Sequence, residues 1–286
     1  MCGQMITRVA SRQPIPDEQC KVVDTVRGGA LCSADSYYLE VPMQNAFEVL
    51  TVSAIKRESA DIGTVIMERP EGSGFGTWMP GQFVSLSLQK DDGWTKQHYF
   101  TLSNAPGEAV ITVTFRHKGE FTDLLETLDT GAKVRVSGPF GSFCSTIAGQ
   151  RSVVMIAGGM GITPFLSVLR YYCSKPDIFE NAVLIWGNND PDSFFALPEL
   201  DAYHFWMNFS AVLVSEHPFQ PKHLKKHRIT TLQFADGLLS AELLKRHADF
   251  KGSEVFVCGS QQMQTYVLEQ LQMCGVEQQN IHTEQF

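Results

Sequence analysis

The chain has 286 residues, 43% hydrophobic and 19% charged, enough to bury a sizeable core and to form two domains. Lys and Arg number 23 against 31 Asp and Glu, and the resulting net charge of −8 disfavours a duplex nucleic-acid binder, which needs a positive excess. No run of about 18 uninterrupted apolar residues occurs, so no integral membrane segment is expected. Arg8, Arg12, Asp17, Glu18 and Lys21 leave no apolar stretch for a secretory signal. The seven cysteines are dispersed, which excludes zinc-knuckle and plant-type iron–sulfur spacings, and their odd count implies reduced thiols in the cytoplasm. No metal site is expected.

Residues 1–45 mix polar clusters, the Gly28-Gly29 pair and short apolar runs, and read as an N-terminal extension of unknown structure. From Phe47 to Phe143 the pattern is short and β-like, with strands expected over Glu48–Ile55, Asp61–Met67, Gln82–Leu88, His98–Leu102, Val110–Phe115 and Lys133–Val136. One helix, Thr122–Leu128, interrupts them with Leu124, Leu125 and Leu128 on one face. Many short strands separated by Gly, Asn, Asp and Pro imply a small antiparallel barrel.

After Gln150 the rhythm changes. Strands are expected at Ser152–Ala157, Ala182–Trp186, Phe209–Val214 and Glu254–Cys258, with helices at Pro164–Tyr172, Ala241–Arg246 and Gln262–Met273. Strands alternating with helices imply a doubly wound parallel sheet with right-handed crossovers.

Ser152–Ala157 runs into Gly158-Gly159-Met160-Gly161-Ile162-Thr163-Pro164. Glycines let the backbone approach a phosphate and tolerate the positive φ angles of a tight strand-to-helix turn. Thr163 suits the N-cap and Pro164 the first helical position, so the free N–H groups of the helix start and the dipole behind them form a diphosphate site.

Ala157–Pro164 resembles the pyridine-nucleotide loop of the ferredoxin–NADP reductase superfamily, and four further segments resemble that family in the family's order. His98-Tyr99-Phe100-Thr101 resembles its flavin motif, and Lys118-Gly119-Glu120-Phe121-Thr122 the loop and helix start that cradle the flavin diphosphate. Gly138-Pro139-Phe140-Gly141 resembles the strand exit joining the domains, and Val257-Cys258-Gly259-Ser260-Gln261-Gln262-Met263 the stretch beside the nicotinamide. The terminal Glu284-Gln285-Phe286 is similar to the family's acid-x-aromatic ending. The resemblance implies a six-stranded antiparallel FAD-binding barrel over residues 46–147 and a doubly wound, parallel-sheet NAD(P)-binding domain over residues 148–286.

By the same resemblance Thr101 hydrogen-bonds near the reactive flavin nitrogen, and Phe100 stands where a Tyr usually packs on the ring. His98 replaces the family's Arg, and a neutral imidazole offers one donor against the five of a guanidinium. His98-Tyr99-Phe100-Thr101 also resembles the His-Pro-Phe-Thr motif of the ferric reductase and NADPH oxidase branch, which binds FAD. Arg116, Lys118 and the helix-start N–H groups around Phe121 and Thr122 are expected to carry phosphate charge. Phe286 is expected to stack on the flavin and swing aside for the nicotinamide, with Cys258 beside the nicotinamide and Glu284 next to it in the catalytic set.

The end of the second α/β strand reads Trp186-Gly187-Asn188-Asn189-Asp190-Pro191-Asp192, and no Lys or Arg occurs from Pro176 to Pro221. Asn188 and Asp190 would accept from ribose hydroxyls, and the acid would repel a 2′-phosphate, favouring NADH over NADPH. Lys222–Arg228 could reach back to the ribose, present a solvated basic face or dock an acidic electron carrier. The expected activity is hydride transfer from NADH to FAD and onward transfer to a separate acceptor: a ferredoxin, an oxygenase component, a ferric complex, a quinone or free flavin. The alternative is a non-catalytic flavin- and nucleotide-binding subunit of a larger complex.

Overall fold

The computed structural model describes residues 47–91, 93–175, 177–220 and 229–284, all within one compact unit. The N-terminal extension, the basic run Lys222–Arg228 and Phe286 lie outside the described residues.

Six strands build the barrel: β1 (Glu48–Arg57), β2 (Ile62–Glu68), β3 (Phe83–Lys90), β5 (His98–Thr101), β6 (Val110–Arg116) and β7 (Lys133–Phe140). They pair antiparallel in the order β5-β3-β7-β1-β2-β6, and a bridge between Leu102 and Val113 closes β6 onto the end of β5. Closure removes the exposed edges that an open sheet would present. The period-two alternation turns Val84, Leu86 and Leu88 inward, where they meet Leu50, Val52, Ile111, Val113 and Phe115. A short strand β4 (Gly93–Trp94) pairs only with the end of β3, and its length gives no periodic signal.

Helix α1 (Glu120–Glu126) closes the barrel with Phe121 and Leu125 buried in the same core. It starts two residues before the expected Thr122, because Gly119 takes the N-cap with φ 155°, a backbone angle open to glycine.

The second sheet contains β8 (Ser152–Gly158), β9 (Asn181–Asn188), β10 (Phe209–Ser215), β11 (Gln233–Asp236), β12 (Glu254–Cys258) and β13 (Ile281–Thr283). All pair parallel, in the order β11-β10-β9-β8-β12-β13. The chain leaves β8 for β9 on one side and later returns to β12 on the other. That reversal of strand order opens a crevice at the carboxyl end of β8.

Helices α2 (Thr163–Tyr172) and α3 (Leu197–Ala202) cover one face, burying Phe165, Leu166, Leu169, Leu197 and Leu200 against Leu184 and Leu213. Helices α4 (Ala241–His247) and α5 (Gln261–Met273) cover the other, with Leu243, Leu244, Val267 and Leu271 against Val154 and Ile185. Strands buried on both faces read as continuous apolar runs, which is why β8, β9 and β10 were legible. The short polar edge strands β11 and β13, and α3 entered through Ala196 at φ 53°, carry no such signal.

Candidate functional site

A cleft of ≈ 1180 Å³ separates the open end of the barrel from the carboxyl ends of the parallel strands. Tyr99, Phe100, Thr101, Thr114, Arg116 and Lys118 form the barrel wall. Gly158, Gly159, Gly161, Thr163, Asn188, Cys258 and Gly259 line the opposite wall.

The glycine loop is held by close approach. A β-carbon on Gly158 would meet the Met263 side chain at 2.7 Å, and Gly159 has φ 55°. Residues Gly159–Ile162 make one 3₁₀ turn that feeds directly into α2. The N-cap of α2 is Ile162 rather than Thr163. Thr163 is already helical and its hydroxyl donates backward to the carbonyl of Met160 at 3.0 Å, so the turn before the helix uses the side chain expected to cap it. Trp186, fully buried at the end of β9, donates its indole N–H to the carbonyl of Gly159 at 2.9 Å. That bond pins the loop from below.

Donors without partners point to the ligand. Arg116 Nη2 and Asn188 Nδ2 are buried side-chain nitrogens that donate to no partner among the described residues, and both residues line the cleft beside Gly159. Asp61 lies 3.1 Å from Arg116 Nε and holds the guanidinium in place. Buried donors left unpaired cost free energy unless a ligand completes them. A glycine cradle, a helix start with no side-chain cap and two such donors fit the diphosphate and amide groups of a dinucleotide.

At the end of β12, Cys258 is fully buried, and burial together with the nearby Glu284 carboxyl pushes its thiol well up. Glu284 follows β13 and is itself buried, which pushes its carboxyl up to about 7. Its Oε2 has no hydrogen-bond partner among the described residues. Its backbone is fixed: the N–H donates to Val257 at 3.2 Å and the carbonyl accepts from Gln264 Nε2 at 2.8 Å. Gln264 also donates to the carbonyl of Gly259 at 2.9 Å, which ties Glu284 to a residue of the cleft wall although Glu284 itself does not line the cleft.

Several expected residues sit elsewhere. His98 is exposed on the barrel and stacks on Phe121 at 4.0 Å, and Phe100 stacks on the same ring at 5.8 Å. Thr122 Oγ1 accepts from the Lys118 N–H and donates to the Gly119 carbonyl, each at 2.9 Å, which shapes the entry to α1. His98, Gly119, Phe121 and Thr122 therefore form a ledge beside the cleft rather than its wall. Ile162 is buried in the core under α2, so only its backbone faces the turn. Asp190 is used locally, accepting from the Asp192 N–H at 3.0 Å, and stands outside the cleft.

The cleft also contains residues no motif marked: Glu216 after β10, Gly237, Leu238 and Leu239 after β11, and Tyr266 on α5. They reach it through loops whose paths depend on the sheet order.

Residues 155–269 match the family model described as an oxidoreductase NAD-binding domain. The chain is 23% identical over 243 residues to the flavohemoprotein of Bacillus subtilis (strain 168), covering 84% of this chain and 59% of that protein. It is 24% identical over 237 residues to the reductase component of propane 2-monooxygenase from Rhodococcus jostii (strain RHA1), covering 82% of this chain and 62% of that relative. The chain thus spans less than two thirds of the length of these curated relatives. Among solved structures, the ferredoxin NADP+ reductase from Neisseria gonorrhoeae with bound FAD and NADP superposes with a TM-score of 0.67 at 19% identity, covering 83% of this chain and 98% of that one. The barrel and the parallel sheet behind it form the same two-domain fold as that reductase, and the match to an oxidoreductase NAD-binding domain falls on the parallel-sheet half.

Proposed function

We propose that this protein is a FAD-dependent NAD(P)H reductase that takes hydride from NADH, and less readily from NADPH, and passes electrons to a separate acceptor such as a ferredoxin, an oxygenase component or a ferric complex. The observation that carries the reading is the single cleft in which the Thr101 strand of the barrel faces the glycine loop and Cys258. In this reading the flavin belongs to residues 46–147 and the nucleotide to residues 148–286, and the protein works in the cytoplasm. Among the described residues no helix is long and apolar enough to cross a membrane.

Bound FAD supplies the chemistry, accepting a hydride and releasing electrons singly or in pairs. Tyr99 and Phe100 give the barrel wall its aromatic surface, and the buried Thr101 hydroxyl orients the reacting edge of the ring. The ledge of His98, Gly119, Phe121 and Thr122 receives the outer part of the flavin, where the α1 N–H groups replace the missing arginine. Gly158, Gly159, Gly161, Thr163, Asn188 and Arg116 hold the nicotinamide nucleotide's diphosphate and amide. Cys258 keeps its proton because its thiol is pushed up by burial, so it packs against the nicotinamide and is no nucleophile. Glu284, half-protonated near neutrality, keeps a proton close to Cys258, and Phe286 would cover the flavin until the nucleotide enters.

The lean to NADH has a structural support. Among the described residues the cations lining the cleft are Arg116 and Lys118, both on the barrel wall, whereas the nucleotide wall carries the acid Glu216. A 2′-phosphate next to Glu216 would be repelled.

The test is the visible spectrum of the purified protein with FAD, recorded without oxygen before and after NADH and then NADPH. Flavin bands that bleach with NADH support the reading. A protein that takes up neither FAD nor FMN refutes it.

A further inference from the structure

Helix α2 carries the glycine loop at its start and an unusual fastening in its last turn. Arg170 reaches Glu199 on α3 with both branches of its fork, Nε to Oε1 at 2.7 Å and Nη2 to Oε2 at 2.8 Å. Its remaining nitrogen, Nη1, donates to the backbone carbonyl of Ser103 at 2.5 Å. One turn earlier, the fully buried Ser167 donates to the carbonyl of Asn104 at 2.9 Å. Tyr203 completes the set by donating to Glu199 Oε1.

Ser103 and Asn104 directly follow β5, so these bonds attach α2 to the segment two residues beyond Thr101. That segment is itself rigid. The Ser103 amide donates to Thr112 at 2.9 Å, the Thr112 amide donates to Asn104 Oδ1 at 2.9 Å, and Thr114 bonds Ser103 Oγ at 3.0 Å. Thr114 lines the cleft, as Thr101 does. A bidentate guanidinium–carboxylate pair has fixed planar geometry, so its third arm is aimed rather than free. Two bolts one helical turn apart on α2 resist both sliding and rotation of the helix against the barrel.

We infer that Arg170, aligned by Glu199, is a positioning residue that sets the register between the glycine loop and the Thr101 strand, and with it the approach of the nicotinamide to the flavin. The inference rests on the reductase reading for its catalytic consequence and on the hydrogen bonds alone for the clamp. Arg170 touches neither cleft wall, so its loss alters geometry without removing a ligand contact. Displacements on the order of 1 Å between reacting groups lower rates by about 100-fold.

The experiment compares Arg170→Met, Arg170→Lys, Glu199→Gln and Ser167→Ala with Arg246→Ala, which breaks an exposed pair with Glu242 on α4. Two readouts are taken: amide hydrogen exchange at Ser103 and Thr112 in the protein without added cofactor, and the limiting rate of flavin reduction at saturating NADH with FAD bound. Arg170→Met should speed exchange at both amides while Val154 and Leu184 in the parallel sheet stay protected. The limiting rate should fall about 10- to 100-fold with the NADH dissociation constant changed less than about threefold. Arg170→Lys, which keeps the charge and loses the fork, should fall between, and Arg246→Ala should match the parent. Unchanged exchange and rate in Arg170→Met overturn the inference, as does a loss confined to NADH affinity. If Arg170→Met does not fold, Glu199→Gln and Ser167→Ala decide by the same criteria. A parent protein that binds no FAD refutes the reductase reading, and exchange then decides the clamp by itself.

Discussion

Gly161 and Cys258 pack so closely that a β-carbon on Gly161 would stand 2.1 Å from the Cys258 carbonyl oxygen and 2.7 Å from the Gly259 nitrogen. Both partners are backbone and cannot rotate away. The loop that starts α2 and the end of β12 are therefore two sides of one contact, and the nucleotide site is shaped where they touch.

Gly161→Ala should separate these two segments. Overpacking against rigid backbone costs about 2 kcal/mol or more, and the displaced loop should bind NADH at least tenfold more weakly. Thermal unfolding and NADH titration of the same sample check it; parent-like values in both would remove the contact from the design of the site.

Thr101→Ala should leave the barrel intact, since Thr101 sits at a strand end and its backbone pairing with Phe83 survives the change. Flavin reduction by NADH should slow by about 100-fold, the lower end of the range for one lost hydrogen-bond donor at a reacting centre. Thr101→Ser should restore most of the rate. Stopped-flow absorbance at saturating NADH makes the comparison, and an unaltered rate removes Thr101 from its assigned place.

Glu216→Arg tests the choice of nucleotide. Replacing an acid by a cation on the nucleotide wall should move the NADPH-to-NADH preference by about tenfold or more toward NADPH, an effect of about 1.4 kcal/mol. The ratio of kcat/KM values for the two donors is the measurement. No change would place the nucleotide's ribose away from Glu216.

Glu284 links stability to pH. Its carboxyl lies near the ordinary 4.5 in the unfolded chain and is pushed up to about 7 when buried, so the folded protein binds this proton more tightly. Its contribution is fully present below the unfolded value and is lost as pH rises from 4.5 to about 7. Glu284→Gln removes this dependence and should gain on the parent, on the order of 1 kcal/mol, between about pH 5 and pH 8. Urea unfolding at the two pH values measures it, and equal differences at both would show that the carboxyl is not buried as described.

Two strand types carry their burial directly in the local pattern, whereas the helix caps do not: the N-cap of α2 is Ile162 and α1 starts at Glu120. The alternation of Val84, Leu86 and Leu88 and the continuous run Ser152–Ala157 are direct prints of a one-sided barrel strand and a two-sided parallel strand. The glycine loop was equally plain, because a tight turn before a helix restricts residue type at every step. The edge strands β11 and β13 were not legible, since three or four residues hold no period.

The sequence by itself determined the order of barrel and parallel sheet and the place of the glycine loop, because each depends on chemistry within a few residues, while Thr101 and Cys258 became candidates only through the family resemblance. Only the tertiary structure decided which of these share a cleft. It moved His98 and Asp190 out of the wall, brought in Glu216 and Tyr266, and set Arg116 beside Gly159. It also joined Arg170 to Ser103, a pair 67 residues apart whose meeting depends on how a helix crosses from one sheet to the other. Such contacts arise from packing between distant segments, and no local pattern of residues encodes them.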